Sequence, residues 1–198
     1  MREVSTEAAN HPHVVAGLYT IDSRASRFTV RAFATGFLAK LGHSPTIGIH
    51  DFSGGMSFNP EKVEAGSFYL VIKTASLSVQ DDISDKDRRE IERLMHKEVL
   101  ETEKFPEIRY AAAVIGVTKM SEMLYSASLN GDLTLHGITR SQPITSRVTL
   151  LGNMLRASGD FSLDQTDYGT NLVSVAGGAL KLKDRLMFSF EIVARKQE

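Results

Sequence analysis

Along most of the chain, apolar and polar positions alternate with a period of two. Phe28, Val30 and Ala32 alternate with Arg27, Thr29 and Arg31, and Phe68, Leu70 and Ile72 alternate with the residues between them. The same rhythm returns at 108–114, 129–136, 144–150, 155–164 and 185–192. Successive side chains of a strand point to opposite faces, so each segment predicts a strand with one apolar and one wet face. That is the signature of antiparallel sheet with water on one side. Turn chemistry separates the segments at Ser53-Gly54-Gly55, Asn59-Pro60, Ala65-Gly66, Gly152-Asn153 and Gly177-Gly178. Asn130-Gly131 reads as a further turn or, since the alternation passes through it in phase, as a bulge. Connections this short suit hairpins rather than parallel crossovers.

One segment breaks the rhythm. From about Asp85 to Leu100 the apolar residues Ile91, Leu94, Met95 and Val99 fall on a helical stripe, and Ser84 with Asp87 has capping-box spacing. Phe105-Pro106 ends the excursion. The pattern predicts a helix that lays its stripe across an open edge or mouth of the sheet, its charged residues forming a solvated face. Residues 1–16 show no periodicity and read as a flexible arm, leaving 17–198 as one domain. The predicted fold is mainly all-β: about eight antiparallel strands closing on themselves, with one crossing helix.

Composition narrows the function. The 198 residues are 42% hydrophobic, enough for one core without staples, and contain no cysteine. Thiolate metal sites, disulfides and cysteine nucleophiles are thereby excluded. The 23 Lys and Arg against 24 Asp and Glu give a net charge of −1, which offers nothing to condense on nucleic acid or on an anionic membrane. The longest stretch free of charged residues, from Ala8 to Ile21, falls short of the about 20 residues of a membrane-spanning helix. The start carries two acids and no apolar run, which suits a cytoplasmic protein better than a secreted one.

Catalytic constellations are scarce. No phosphate-binding loop, dinucleotide turn or nucleophile elbow occurs. His11 and His13 would share a strand face and could clasp a metal, whereas His43 and His50 would fall on opposite faces of a continuous strand. His43, in Leu41-Gly42-His43-Ser44-Pro45, reads as a histidine bonding backbone in a turn ahead of a ligand. His96 and His136 read as solvated, and Asp164 and Asp167 as turn-organising carboxylates. The predicted inner face carries Ala32, Ala112, Ala127, Gly131, Ser146, Ala157 and Gly159 beside five phenylalanines. Small residues spread over several strands suit either a ligand slot or a solid core in which each one accommodates a neighbouring ring.

The motifs, taken in order, resemble the YceI-like family, over about residues 18–194. They are Tyr19-Thr20-Ile21-Asp22, Phe52-Ser53-Gly54-Gly55-Met56-Ser57-Phe58, Thr74-Ala75-Ser76-Leu77 and Lys104-Phe105-Pro106-Glu107-Ile108-Arg109-Tyr110. Most specific are 129–139, with Leu135-His136-Gly137-Ile138-Thr139, and Phe161-Ser162-Leu163-Asp164-Gln165-Thr166-Asp167-Tyr168-Gly169. The resemblance implies a lipocalin-like eight-stranded barrel holding a polyisoprenoid, an isoprenoid quinone or a fatty-acid-like amphiphile in an apolar channel, with no cofactor and no catalytic residue. Many family members work in a bacterial periplasm. The expected channel lining is Phe28, Val30, Phe68, Leu70, Tyr110, Ala112, Val114, Leu129, Leu133, Val148, Leu155, Phe161, Phe188 and Phe190, with His43 and Asp167 at the mouth. Binding, sequestration or transport without turnover is the leading expectation. An enzyme using His43, His50, Asp167 or a metal at the mouth, and a solid-cored stress-response partner protein, are the competing ones. A homodimer is compatible with an apolar barrel edge.

Overall fold

The computed structural model of the chain describes residues 17–36, 44–62, 66–172, 174–175 and 180–197. The proposed arm at 1–16, the glycines at 177–178, and His11, His13 and His43 lie outside the described residues. In chain order the elements are β1 (Gly17–Ile21), β2 (Arg27–Gly36), β3 (Thr46–Ile49), β4 (Phe52–Phe58), β5 (Ser67–Lys73), β6 (Leu77–Val79) and α1 (Asp85–Leu94). There follow β7 (Glu107–Lys119), β8 (Leu124–Leu135), β9 (Ile138–Ser141), β10 (Ile144–Leu151), β11 (Met154–Asp164), β12 (Ser174–Val175) and β13 (Leu180–Lys196).

These segments form one closed, eight-stranded antiparallel barrel. Neighbours in the wall are neighbours in sequence, and β1 closes the ring by pairing with the end of β13, with Tyr19 opposite Lys196. Several walls are long strands broken once. β1 and β2 run end to end along β13 and are interrupted at Asp22–Ser26, where the Ser26 hydroxyl accepts from Val193 N at 2.9 Å and Arg195 pairs with Asp22 at 3.1 Å. β3 and β4 are broken at His50-Asp51, β5 and β6 at a 3-10 turn over Thr74–Ser76, and β9 and β10 at Gln142-Pro143. At each break the strand ladder is interrupted for a few residues. We refer to the end bearing α1 as the top.

The bottom closes tightly. Tyr19, Phe58, Tyr125, Leu150, Leu155 and Ala194 all point inward and are buried, with Phe58 and Tyr125 edge to face at 6.1 Å. At the top, β6 pairs with β3 alone, and α1 packs beside it, with Glu92 accepting from Val79 N at 2.9 Å and Arg88 donating to Val79 O. The Ser84 hydroxyl caps α1 by accepting from Asp87 N at 3.1 Å, and the helix ends in a π-helical turn over Met95–Val99. The sequence placed one helix over 85–100; the widened last turn is the refinement, with Leu100 N donating to Met95 O at 2.8 Å.

The glycines correct the sequence reading in three places. Gly54 and Gly55 lie inside β4 rather than in a turn, because a Cβ on Gly54 would stand 2.3 Å from Tyr69 O and one on Gly55 2.9 Å from Tyr19 O. Asn130-Gly131 is neither turn nor bulge. Its register with Ala113 and Ala112 is regular, and the bulge lies on the partner strand at Ile115, between Val114 and Gly116. A tight turn that the alternation concealed joins β8 to β9 at His136-Gly137, where both residues have positive φ, 51° and 75°.

Candidate functional site

The inward side chains do not meet. Between the aromatic floor and α1 they enclose a cavity of about 870 Å³, near the upper end of the roughly 300–1,000 Å³ of small-molecule sites. Phe28, Phe68, Phe161, Leu186, Phe188 and Phe190 line it, with Val148, Ala157 and Ile192 lower down. Phe161 and Phe188 stack at 4.8 Å, and Phe28 lies 6.4 Å from Phe190. Phe161, Phe188 and Phe190 point inward yet are only half-buried, because they border a void. Of the two readings of the small inner residues, the hollow one describes Ala32, Ala127, Ser146 and Ala157, which lie on the cavity wall. Gly159 follows the other, since a Cβ there would come within 2.8 Å of the Phe190 ring.

Every residue expected to line the channel borders this cavity except Ala112. Ala112 faces Gly131 across β7 and β8, where a glycine Cβ would sit 2.4 Å from its own. The strands approach there, and Ala112 belongs instead to a separate shallow hollow shared with Phe68 and Gly131. Asp167 is not at the cavity. It lies in a 3-10 turn over Gln165–Tyr168, exposed, with its carbonyl accepting from Arg140 Nε. Asp164 does not organise that turn either; it pairs with Arg185 at 3.0 Å. The turn is held by Asp184, whose carboxylate accepts from Thr166 N at 2.9 Å and Thr166 Oγ1 at 2.6 Å, bonds that lower its pKa.

The histidines differ from expectation too. His50 faces outward at the β3–β4 break, 3.0 Å from Ser78 Oγ and 3.1 Å from Gln80 Nε2. His96 is not solvated: its Nε2 donates to Leu77 O at 3.0 Å and its Nδ1 is buried. His136 sits against the Phe105 ring at 4.3 Å, with Nε2 2.7 Å from Glu101 Oε2, so it fastens the loop after the helix to the β8–β9 turn. Among the described residues, no three His, Asp or Glu side chains come together to hold a metal.

Sequence reasoning missed the part of the wall contributed by β3, β4 and the helix. Ile47, Ile49, Met56, Phe58, Ile91, Leu94, Met95 and Val99 all border the cavity. The alternation of Ile47 with Ile49 and the helical stripe were signals that could have found them. Polar side chains on the wall are few. Tyr110 donates its hydroxyl to Gln142 O at 2.8 Å, and burial, helped by the charge of Asp132, pushes its pKa up to about 12. Ser146 bonds Ser158 O, and Gln165 Nε2 donates to Lys183 O at 3.0 Å. The mouth beside α1 carries Asp81, Asp82, Ser84, Asp87 and Glu90. The arrangement can shelter an apolar chain from water and leave a polar end near the helix.

An up-and-down antiparallel barrel built around an apolar cavity, roofed by a single helix, defines a class of ligand-enclosing barrels. The YceI-like domain model matches residues 19–194, and the chain belongs to that family. It is 31% identical over 139 residues to a UPF0312 protein of Pseudomonas savastanoi pv. phaseolicola, and 30% identical to one of Pseudomonas putida. Each match covers 70% of this chain and 64% of the relative, so the chain spans less than two thirds of the length of these curated relatives. Among solved structures, the fold is similar to a polyisoprenoid binding domain from Saccharophagus degradans implicated in plant cell wall breakdown. That match has a TM-score of 0.66 at 16% identity and covers 90% of this chain and 98% of that one. Burkholderia cenocepacia BcnA matches with a TM-score of 0.65 at 16% identity, covering 87% and 98%. No described helix is long and apolar enough to cross a membrane.

Proposed function

We propose that this protein binds a long-chain isoprenoid or other amphiphilic lipid inside the barrel and sequesters or carries it without turnover. The observation that carries the reading is the continuous apolar cavity of about 870 Å³ from aromatic floor to helix. Burying an alkyl or prenyl chain is worth about 0.8 kcal/mol per methylene-sized group, so such a wall supplies affinity with no reactive group. Phe28, Phe161, Phe188 and Phe190 are the proposed chain contacts, with Leu70, Leu133 and Val148 elsewhere on the wall. Family membership and the polyisoprenoid binding domain from Saccharophagus degradans support a lipid ligand. The catalytic alternative loses ground because His50 and Asp167, two of the residues it drew on, lie off the cavity wall.

The test is extraction. Protein purified from cells and denatured in organic solvent should release a stoichiometric apolar molecule, identified by mass spectrometry. Consistently empty protein that also fails to take up any polyprenyl alcohol, isoprenoid quinone or fatty amphiphile overturns the reading.

A further inference from the structure

Resting on the lipid-binding reading, we infer that the cavity selects a head group that is not anionic and that donates hydrogen bonds: an amine, an amide or a hydroxyl, but not a phosphate, sulfate or carboxylate. Two separate features of the wall point there. The first is the sign of its charges. Every ionised side chain bordering the cavity among the described residues is a carboxylate: Asp81, Asp82, Asp87 and Glu90. The helix that supplies two of them also carries Lys86, Arg88, Arg89 and Arg93, and none of these borders the cavity. Arg88 is tied to the carbonyls of Val79 and Asp81, and Arg93 to Glu90 and Glu98.

A helix N-terminus ordinarily recruits anions through its free N–H groups and dipole. Here that end already has its negative charge, with Asp85 and Asp87 in the first turn and the Ser84 oxygen accepting from Asp87 N. An anionic head would meet carboxylates where it would otherwise meet donors.

The second feature is Gln165, on the wall beneath the 3-10 turn. It is only 4% exposed and borders the cavity. Because Nε2 is spent on the Lys183 carbonyl, the half of the amide left over is its oxygen, which takes no bond from any described residue. That oxygen can only accept, so a head group that brings a donor to it gains a hydrogen bond that a hydrocarbon or an anionic head cannot make. It asks for a donor from the ligand. Charge at the rim and hydrogen bonding on the wall therefore favour the same chemistry.

The experiment holds the chain constant and varies the head. Oleyl amine, oleamide, oleyl alcohol and oleyl sulfate are titrated below their aggregation limits against a displaceable fluorescent lipid, at neutral pH and low salt. The expected result is that the first three displace the probe and the sulfate is at least tenfold weaker. The Asp82→Asn/Glu90→Gln double variant leaves the helix cap intact and should shrink that gap to under threefold, as should high salt. Gln165→Leu should weaken oleamide and oleyl alcohol while sparing a plain C18 hydrocarbon. Sulfate binding as tight as amine binding overturns the head-group inference but leaves lipid binding standing. A gap untouched by the double variant and by salt overturns the role of the rim. Failure of all four amphiphiles and of the hydrocarbon overturns the lipid-binding reading itself.

Discussion

The bottom and top of this barrel are built from the same strands with the same alternation, yet one is solid and the other hollow. Below, Tyr19, Phe58, Tyr125 and Leu150 fill the cross-section and are nearly fully buried. Above, alanines stand on the cavity wall at Ala32, Ala127 and Ala157, and α1 packs beside the edge of β6 that no strand pairs. Side-chain volume decides the first difference and strand continuity the second. The lower half supplies cohesion, and the upper half spends some of that cohesion on a space for a ligand. Stability and binding should therefore separate when mutated by level.

The largest effect on stability belongs to the floor. Leu150→Ala removes a side chain that is 5% exposed and borders no part of the cavity, so it should lower unfolding free energy by about 3 kcal/mol. A denaturant titration reads this, and lipid affinity should stay within a few-fold. A loss of affinity as large as the loss of stability would show that the halves are one unit.

The converse change fills the upper half. Ala157→Phe projects a ring from the cavity wall into open space, where it should cut lipid affinity at least tenfold with little change in melting temperature. If the variant instead melts much earlier, the void is not available to a side chain. A smaller effect is expected at the roof. Ser84→Ala deletes the hydroxyl that caps α1 and should cost about 1 kcal/mol, shown as faster amide exchange in 85–94 and faster lipid release. Equal acceleration of exchange in the floor strands would mean that the roof does not open locally.

How much of this contrast the sequence disclosed follows from which rule governs each half. Uninterrupted alternation is readable, so Ser67–Lys73 and 155–164 fall on β5 and within β11, and nearly all the expected lining residues are on the cavity wall. Closely approached glycines defeat it: Gly54-Gly55 looks like a turn and is a place where the β5 backbone comes too near for a Cβ. His136-Gly137 fails the other way, since a two-residue turn preserves the phase of alternation on both sides. The mouth was least legible. The charges of α1 are exposed, as its solvated face predicts, but a helical wheel tells which residues share a side, not that Asp87 and Glu90 also border a cavity while Lys86 and Arg89 do not. Gln165 stands in the motif at 161–169, but nothing in the local pattern marks it as buried: its Nε2 reaches Lys183 O, within the register irregularity between Leu182 and Leu186 on β13.

The smallest predicted effect tests the seam between the halves. Tyr110 reaches from β7 to the carbonyl of Gln142, at the break between β9 and β10. Its ring belongs to the cavity wall and its hydroxyl bond to the frame, and burial holds it protonated up to about pH 12. An unfolded tyrosine ionises near pH 10. Between those values the folded chain binds the proton more tightly than the unfolded one, so this contribution to stability is complete below about pH 10 and is lost as pH rises toward about 12. Tyr19 and Tyr168, also raised by burial, add to the same alkaline decline. Tyr110→Phe should lose about 1 kcal/mol at neutral pH with the hydrogen bond, and then fall less steeply than the parent above pH 10. Converging stability curves for parent and variant in that range would locate the junction at this hydroxyl; parallel curves would place the alkaline weakness elsewhere.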